Sequence, residues 1–593
     1  MRFADASSGS RRRCPRARRR GPETMPQHTD TLDLVLTGSF WTPALERPET
    51  GGIAVKDGVI VEVARTPSAI ANLVESAHEV IPLGDGIVVP GLQDAHVHPV
   101  FAALQLRSCE LTELATADEF LTAIARYAHA HPERDWVTGG GWTFNAFPPS
   151  GPHRRDLDRI CPYRPVALTV RDVHAMWVNS EALRRAGVTD ATPDPPGGRI
   201  ERDANGQPTG VLHEQAMALI HSAIPAPTTA ELDSALCEGQ RVLHANGITA
   251  WQDALIGSFG GNPDVYESYV RAAQRGTLTG RVNGALFWDP GSGLAQLDGL
   301  RERRDAARIG RFTARAIKIM QDGIPENHTA AMHAPYLDEN GTPTETTGGS
   351  LLDPEALTAT VAELDAAGFD LHFHAMGDRA LTEVLDALQH RPGAPDARHQ
   401  IAHLQSVAPG DIPRLRQVGA TANIQAYWAA HEEQMDHICI PLLGPERADQ
   451  QFPFAELRRA GTRLAAGSDW PVSTPSPLSA IHVAVNRVLP GRTADHPVFI
   501  ERQRLSVHDA LTAYTAGGAW VNRLDRTGAI RPGFLADFTI LDADPFAVPA
   551  DQIHEIAPIA TVIAGETVWA AEDCTGGEPL SGGSAGHSPS SRL

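Results

Sequence analysis

One lysine is the first candidate for chemistry in this chain. Lysines and arginines number 51 together, and only two of them, Lys56 and Lys318, are lysines. Lys318 lies in the apolar run Ala316–Met320, which is typical of a buried strand, whereas Lys56 precedes Asp57 and Gly58 in a predicted exposed hairpin turn. An arginine keeps its proton in a protein, but a lysine amine can become neutral. A neutral amine can add carbon dioxide to form a carbamate, which can bridge two metal ions, so Lys318 is a candidate metal ligand.

The strongest local motif is His96-x-His98, within the segment 90–99. On a strand, side chains two residues apart point the same way, and their Cα atoms lie about 6.6 Å apart. Two imidazoles so placed can bind one metal ion. The motif alone is weak evidence because the chain has 25 histidines, and His372 and His374 form a second such pair.

Four candidates fall at the C-terminal ends of predicted strands: Lys318, His374, His403 and Asp469. This is the edge where catalytic groups gather in a parallel barrel. Their nitrogen and oxygen atoms suit borderline divalent metals, with zinc the first choice. We predict two Zn²⁺ ions bridged by a carboxylated Lys318. One ion would be bound by His96, His98 and Asp469, and the other by His374 and His403.

Two metal ions would lower the pKa of a shared water, so that hydroxide exists near neutral pH. Asp469, next to that hydroxide, would take its proton and pass it to a leaving nitrogen. Asp469 is therefore the predicted catalytic residue.

Eight apolar runs, alternating with helical stretches, must position these residues. This alternation predicts an α/β fold with a (β/α)₈ barrel, over residues 87–526. The predicted strands are Ile87–His98, Ile248–Asp253, Val282–Phe287, Ala314–Met320, Asp370–His374, His399–His403, Thr421–Gln425 and Thr462–Asp469.

The chain outside these runs is organised differently. Short strands broken by glycine and aspartate turns fill 31–86, and similar strands return over 527–572. The gap between the first and second barrel strands is too long for one crossover. We therefore predict an inserted subdomain after the first strand, over about 105–245.

The sequence resembles the amidohydrolase superfamily, and within it the YtcJ-like group (amidohydrolase family 3) that includes N-substituted formamide deformylase. The matching stretches run in order from about residue 32 to 570. They are Pro90–Pro99, Arg171–His174, Val178–Ser180, Lys318–Gly323, His374–Ala380, Ile401–His403, Gly467–Pro471 and Gly528–Asp544. The resemblance implies a metal-dependent (β/α)₈ barrel and a small composite β-sandwich built from both chain ends.

Several of the ligand candidates also have a plainer structural interpretation. His372 and His374 share a strand face, and His374 is preferred because it is nearer the strand end and matches the family motif. Lys318 could form a buried ion pair with a carboxylate. Asp469 could be a helix N-cap, and His403 a core histidine.

Two residues of the predicted insertion are weaker candidates for substrate contact. His174 matches a family position and would either orient the substrate or cap a turn. Trp142 follows Gly140 and Gly141 and would either line the pocket or pack in the core as an ordinary tryptophan.

Composition excludes several classes of function. The net charge of −21 argues against a nucleic-acid partner, because phosphates would be repelled. No run of about 18 apolar residues predicts a membrane span. Six scattered cysteines, without a Cys-x-x-Cys pair, fit a reducing compartment and predict a cytoplasmic protein without a thiolate zinc site.

The two chain ends are set apart from the fold. Residues 1–24 hold eight arginines and two acidic residues. We predict that the arm 1–30 is disordered or follows from an over-extended translation start, with Met25 as the true one; a nucleic-acid-binding arm is the alternative. The Gly/Ser-rich tail 573–593 is predicted to be disordered.

These observations predict a hydrolase of C–N bonds other than peptide bonds, acting on an amide, N-formyl or N-acyl small molecule. A cyclic-amide, carbamate or ester hydrolase on the same site is the alternative, because a fold does not fix its substrate. A non-catalytic regulatory relative would be marked by missing ligands, and all six expected ligands are present. A homodimer is the expected assembly, as the commonest one.

Overall fold

The computed structural model describes residues 31–571 and the backbone of Arg18–Arg19, apart from 112–113, 149–150, 171–174, 196–197, 215, 260–261, 395 and 493–495. The remainder of the predicted arm 1–30 and the tail 573–593 lie outside the described residues. Within the described part, no helix has the length and apolar character needed to cross a membrane. The described residues form two compact units, one within 1–97, 241–254 and 279–593, the other within 98–240 and 255–278.

The first unit contains a sheet of eight parallel strands, each hydrogen-bonded to the next in chain order. These barrel strands are Leu92–Val97 (β1), Ile248–Ile256 (β2), Arg281–Phe287 (β3), Phe312–Met320 (β4), Asp370–Ala375 (β5), Gln400–His403 (β6), Thr421–Ile424 (β7) and Leu464–Ala466 (β8). The predicted parallel barrel is confirmed as a nearly closed, TIM-type barrel sheet.

The first barrel strand is shorter than the predicted Ile87–His98. Residues 87–90 belong instead to the strand Ala77–Pro90, which pairs with Phe538–Leu541 in another sheet. The chain enters the barrel at Gly91, where an added Cβ would lie 2.3 Å from Oγ1 of Thr249. Only glycine fits so close an approach. The apolar pattern does not mark this break because the residues on both sides of it are buried.

Strands from both chain ends lie in one further sheet of the first unit. Its order is Glu566–Ala570, Pro558–Ile563, Phe538–Leu541, Ala77–Pro90, Leu32–Phe40, Glu49–Lys56 and Val59–Ala64, and Arg18–Arg19 pairs with Ala77–Pro90. Leu36, Val88 and Phe538 share one hydrophobic core, so both ends of the chain contribute to the same packing. These strands form a single sheet, and the composite sandwich and its bounds stay a prediction.

Helices separate the barrel strands along the chain. Pro354–Ala366, for example, begins at Asp353, whose carboxylate accepts the N–H of Ala356 as an N-cap, and it buries Leu357, Val361 and Leu364. The other helices of this unit are Pro67–Glu75, Leu297–Ala306, Asp378–Gln389, Ile412–Val418, Ile440–Ala448, Phe454–Arg459, Pro477–Asn486, Val507–Thr512 and Gly518–Val521. Thr229–Ala245 leads into β2.

The second unit has its own sheet, in the order Gly198–Arg202, Pro208–Glu214, Ala175–Val178, Val166–Val170, Val137–Trp142 and Cys109–Glu110. Its helices are Pro99–Leu106, Ala117–Ala130, Arg154–Ile160, Ser180–Arg185, Met217–His221 and Tyr266–Arg275. Phe120, Trp142 and Trp177 are buried in its hydrophobic core. The predicted subdomain over about 105–245 overlaps this unit, but its insertion and bounds stay a prediction.

Candidate metal centre

The predicted ligands lie at the C-terminal ends of barrel strands. Lys318 is two residues from the end of β4, and His403 is the last residue of β6. His96 lies near the end of β1, with His98 just beyond it, and Asp469 follows β8. Parallel strands end at one rim of a barrel, so the fold gathers residues that are far apart in the chain.

His96, His98 and Asp469 form a compact group. Each offers one ligand atom, and these atoms all lie within 4.8 Å of one another. Nε2 of His96 is 3.5 Å from Oδ1 of Asp469, and both side chains are buried. Two imidazoles and a carboxylate are a donor set that zinc accepts, so this group could hold a divalent metal ion.

Lys318 lies beside this group. Its Nζ is 3.4 Å from Nε2 of His96, and the residue is 2% exposed. Burial lowers the pKa of Lys318 to about 8, against the smaller opposing effect of the Asp469 charge. The amine therefore loses its proton far more readily than an exposed lysine, as carbamate formation requires.

The imidazoles of His374 and His403 pack against each other, with ring centroids 4.4 Å apart. The ring of His403 is also 4.9 Å from that of His96 and stacks on Trp428. Burial, and next the nearby Lys318 charge, lower the pKa of His374 to about 3. His374 is therefore neutral at physiological pH, which is the form that binds metal.

His372 occupies a different position from His374. It pairs with Lys318 across β4 and β5, one layer deeper in the barrel than His374, which pairs with Met320. Nε2 of His372 lies 2.9 Å from Nδ1 of His96, the ring nitrogen on the other side from Lys318. The structure thus places His374 at the rim and His372 behind His96.

Asp94, which sequence reasoning missed, joins the two ends of the barrel sheet. Its carboxylate accepts the backbone N–H groups of His96 and Ser468 at 3.0 and 3.1 Å, and the Ser468 hydroxyl at 2.6 Å. The backbone N–H of Asp469 donates to the His96 carbonyl at 2.7 Å. These bonds tie His96 and Asp469 together. Burial raises the pKa of Asp94 to about 7.

Asp322 has a similar role behind His374, and it was also missed. It accepts the backbone N–H groups of Ala331, Met376 and Gly377 at 2.8–3.0 Å. These bonds hold the turn that follows β5. Asp94 and Asp322 each lie within four residues of a predicted ligand in the chain, which is the signal that could have pointed to them.

The plainer interpretation of Asp469 as a helix N-cap does not match the structure. The next helix begins at Pro477, and its N-cap is Ser476. Asp469 has a φ of 54°, in the left-handed region that non-glycine residues seldom adopt. Such backbone conformations often occur at functional sites.

The two weaker candidates lie in the chain segment between β1 and β2. His174 lies outside the described residues. Trp142 is fully buried, its indole N–H donates to the carbonyl of Leu168 at 2.8 Å, and its ring packs against Phe147 and Trp177. This is the environment of an ordinary core tryptophan.

Comparisons with known proteins give a consistent assignment. YtcJ of Bacillus subtilis (strain 168) is 30% identical over 534 residues, which cover 90% of this chain and 98% of YtcJ. N-substituted formamide deformylase of Arthrobacter pascens is 26% identical over 561 residues, 91% of this chain and 98% of the deformylase.

The crystal structure of an uncharacterized metal-dependent hydrolase from Pyrococcus horikoshii OT3 superimposes with a TM-score of 0.71 at 21% identity, covering 87% of this chain and 99% of that one. The model of the amidohydrolase family matches residues 79–569. The chain therefore belongs to the amidohydrolase family of hydrolases.

Proposed function

We propose that this protein hydrolyses C–N bonds other than peptide bonds, in amides, N-formyl compounds or other N-acyl compounds, with the help of divalent metal ions. One observation carries the proposal: the ligand atoms of His96, His98 and Asp469 lie within 4.8 Å of one another, and the Lys318 amine is 3.4 Å from His96. Family membership supports a hydrolase, and this arrangement supports the metal.

The donor set fits two ions, with zinc the first choice. His96, His98 and Asp469 would hold one, and His374 and His403 the other. Lys318, once carboxylated, would bridge them. The depressed pKa values of His374 and Lys318 favour the neutral forms that this arrangement needs. Divalent ions bound there would polarise a carbonyl group and lower the pKa of water.

Asp469 is the proposed general base and acid. Its carboxylate is buried, and its backbone is fixed by the bond from its N–H to the His96 carbonyl. A carboxylate held there would accept a proton from the attacking water. It would then return that proton to the leaving nitrogen, so that the amine departs in its neutral form.

The substrate class is proposed from the relatives and the site together. The deformylase relative acts, by its name, on N-substituted formamides, and it aligns over 98% of its length. N-formyl amines are therefore the first compounds to test. Hydantoins, carbamates and esters could be cleaved on the same metal centre, and they form the second group.

The test is hydrolysis of this panel by protein prepared with added zinc and bicarbonate. Rates are measured before chelation, after chelation and after zinc is returned. Release of amine from an N-formyl or N-acyl compound, lost with the metal and restored by it, is the expected result. Cleavage of esters alone would replace the proposal with the alternative. A metal-loaded protein that cleaves no member of the panel would favour a non-catalytic relative.

A further inference from the structure

We propose that a buried chain of hydrogen bonds beneath the metal centre fixes which ring nitrogen of His96 faces the metal. This inference rests on the metal centre proposed above. This hydrogen-bond chain runs through five side chains that act as positioning residues, and each is at most 1% exposed: His372, Gln252, Gln400, Asn423 and Gln425.

The donor-to-acceptor direction of the hydrogen-bond chain is set at one end by the backbone of a proposed metal ligand, His403. The N–H of His403 can only donate, and it lies 2.8 Å from Oε1 of Gln425. The other end of the Gln425 amide is therefore Nε2, which donates to Oδ1 of Asn423 at 2.9 Å. Asn423 must then present its Nδ2 to the next residue.

A second fixed group requires the same orientation. Nδ2 of Asn423 donates at 2.8 Å to the carbonyl of Ala95, which can only accept, and at 2.7 Å to Oε1 of Gln400. The amide of Gln400 then turns its Nε2 to Oε1 of Gln252 at 2.6 Å. Two backbone groups, on β6 and β1, thus agree on the direction.

The direction reaches the metal centre through His372. Oε1 of Gln252 can only accept, so Nδ1 of His372, which contacts it, carries the proton. With this single proton, the ring accepts at Nε2, and the partner there is Nδ1 of His96 at 2.9 Å. His96 must carry its proton on Nδ1. The lone pair is on Nε2, the atom 3.4 Å from Lys318 and 3.5 Å from Asp469.

This tautomer is the one that a metal ligand needs at the observed position. A ligating histidine typically donates its other ring N–H to a fixed acceptor, which sets the ring orientation and the tautomer. Here the acceptor is another histidine, itself fixed by four amide side chains. The chain also joins His96 of one proposed ion to the backbone of His403 of the other, so it couples the two ligand groups.

The first test uses the metal-free full-length protein labelled with nitrogen-15 in histidine. Bare and protonated ring nitrogens have well-separated chemical shifts, and the His96 signals are identified by their loss in His96→Gln. The expected result is a proton on Nδ1 and a lone pair on Nε2. The opposite tautomer, or an equal mixture, would overturn the inference. This readout does not depend on activity or on bound metal.

The second test measures zinc affinity by competition with a chromophoric chelator. His372→Leu removes the acceptor for His96, and affinity should fall about 10–100-fold. His372→Gln can place Oε1 where Nε2 was and should restore most of it. Gln252→Leu touches neither His96 nor His403 in the bonds described, yet it should weaken zinc binding too and mix the His96 tautomers.

These variants separate the possible failures. Zinc affinity unchanged in both His372→Leu and Gln252→Leu would overturn the inference. Wild-type protein that binds no zinc would instead overturn the proposed function, and the tautomer in the metal-free protein would still decide the inference. A thermal unfolding scan of each variant identifies any that do not fold; if His372→Leu is one, Gln252→Leu and the wild-type tautomer decide.

Discussion

The amine of Lys318 lies 3.4 Å from Nε2 of His96, although 222 residues separate them in the chain. They belong to β4 and β1, which are not neighbours in the sheet, so they meet across the interior of the barrel. One of the chain's two lysines is thus placed beside a histidine that belongs to a possible metal site.

Replacing Lys318 by arginine should abolish carbamate formation, because a guanidinium does not lose its proton. Protein incubated with ¹³C-bicarbonate and zinc should show a carbamate carbon signal that Lys318→Arg lacks. The loss of the proposed bridging ligand should also lower kcat by on the order of a hundredfold or more, since metal-ion catalysis supplies several kcal/mol. Lys56→Arg, at the hairpin turn, is the matched control and should behave as the wild type. A carbamate signal that persists in Lys318→Arg would contradict the assignment.

Asp469→Asn should retain the backbone bond to His96 but lose the proton acceptor. We expect kcat to fall by about 10²–10⁴-fold with a small change in KM, as for loss of general acid–base catalysis. Asp298→Asn is the control, because the Asp298 side chain is 89% exposed. Steady-state kinetics on the best substrate of the panel provide the measurement. A kcat for Asp469→Asn equal to that of the wild type would contradict the proposed role of Asp469 as general base and acid.

Gly467 permits the close approach of β8 and β1 on which the site depends. An added Cβ would lie 2.5 Å from the backbone nitrogen of His96, so Gly467→Ala must shift the backbone. We expect a loss of about 1–3 kcal/mol in the free energy of unfolding, and weaker zinc binding. Gly410→Ala, where nothing lies within 4 Å of the added Cβ, should change stability by less than about 0.5 kcal/mol. Equal free energies of unfolding for the two variants in denaturant titrations would show that the close approach of Gly467 to His96 does not matter for stability.

His482, which is not among the predicted metal ligands, should contribute to acid instability. Burial, and next the charge of His554, lower the pKa of His482 from 6.5 to about 4, with Asp551 acting in the opposite direction. As pH falls, the unfolded chain binds this proton at a higher pH than the folded protein does. The contribution of neutral His482 to the free energy of unfolding is therefore complete above pH 6.5 and is lost as pH falls from 6.5 towards 4. The loss should be on the order of 2–3 kcal/mol.

Denaturant titrations across this pH interval test the prediction. The fall in unfolding free energy should be smaller in His482→Gln than in the wild type. The exposed His390, replaced by glutamine, is the control and should leave the wild-type slope. A His482→Gln slope equal to that of the wild type would contradict the pKa assignment.

The barrel was predictable from sequence because its strands are short runs rich in apolar residues and are separated by helices. Ile248–Ile256, for example, is buried at every position. The break at Gly91 was not predictable, since it depends on the contact with Thr249, 158 positions along the chain. That strands such as Leu32–Phe40 and Phe538–Leu541 share a sheet was implied only by the family resemblance.

Within the site, residue type and position at strand ends were sufficient to nominate His96, Lys318 and Asp469. The residues that support these ligands could not be predicted in this way. Asp94 and Ser468 are 374 residues apart, and only the closed barrel brings them into contact. The amides that fix His96 resemble ordinary polar residues in the sequence, because their role lies in the direction of bonds between different strands.

Counting the metal ions bound per chain is the most direct test of the proposed two-ion centre. Elemental analysis would be applied to wild-type protein and Lys318→Arg, both produced with added zinc and bicarbonate. We predict about two ions per wild-type chain and about one or none in the variant. A wild-type chain that holds one ion, unchanged by the substitution, would contradict the bridged pair. A wild-type chain that holds none would contradict the metal centre itself.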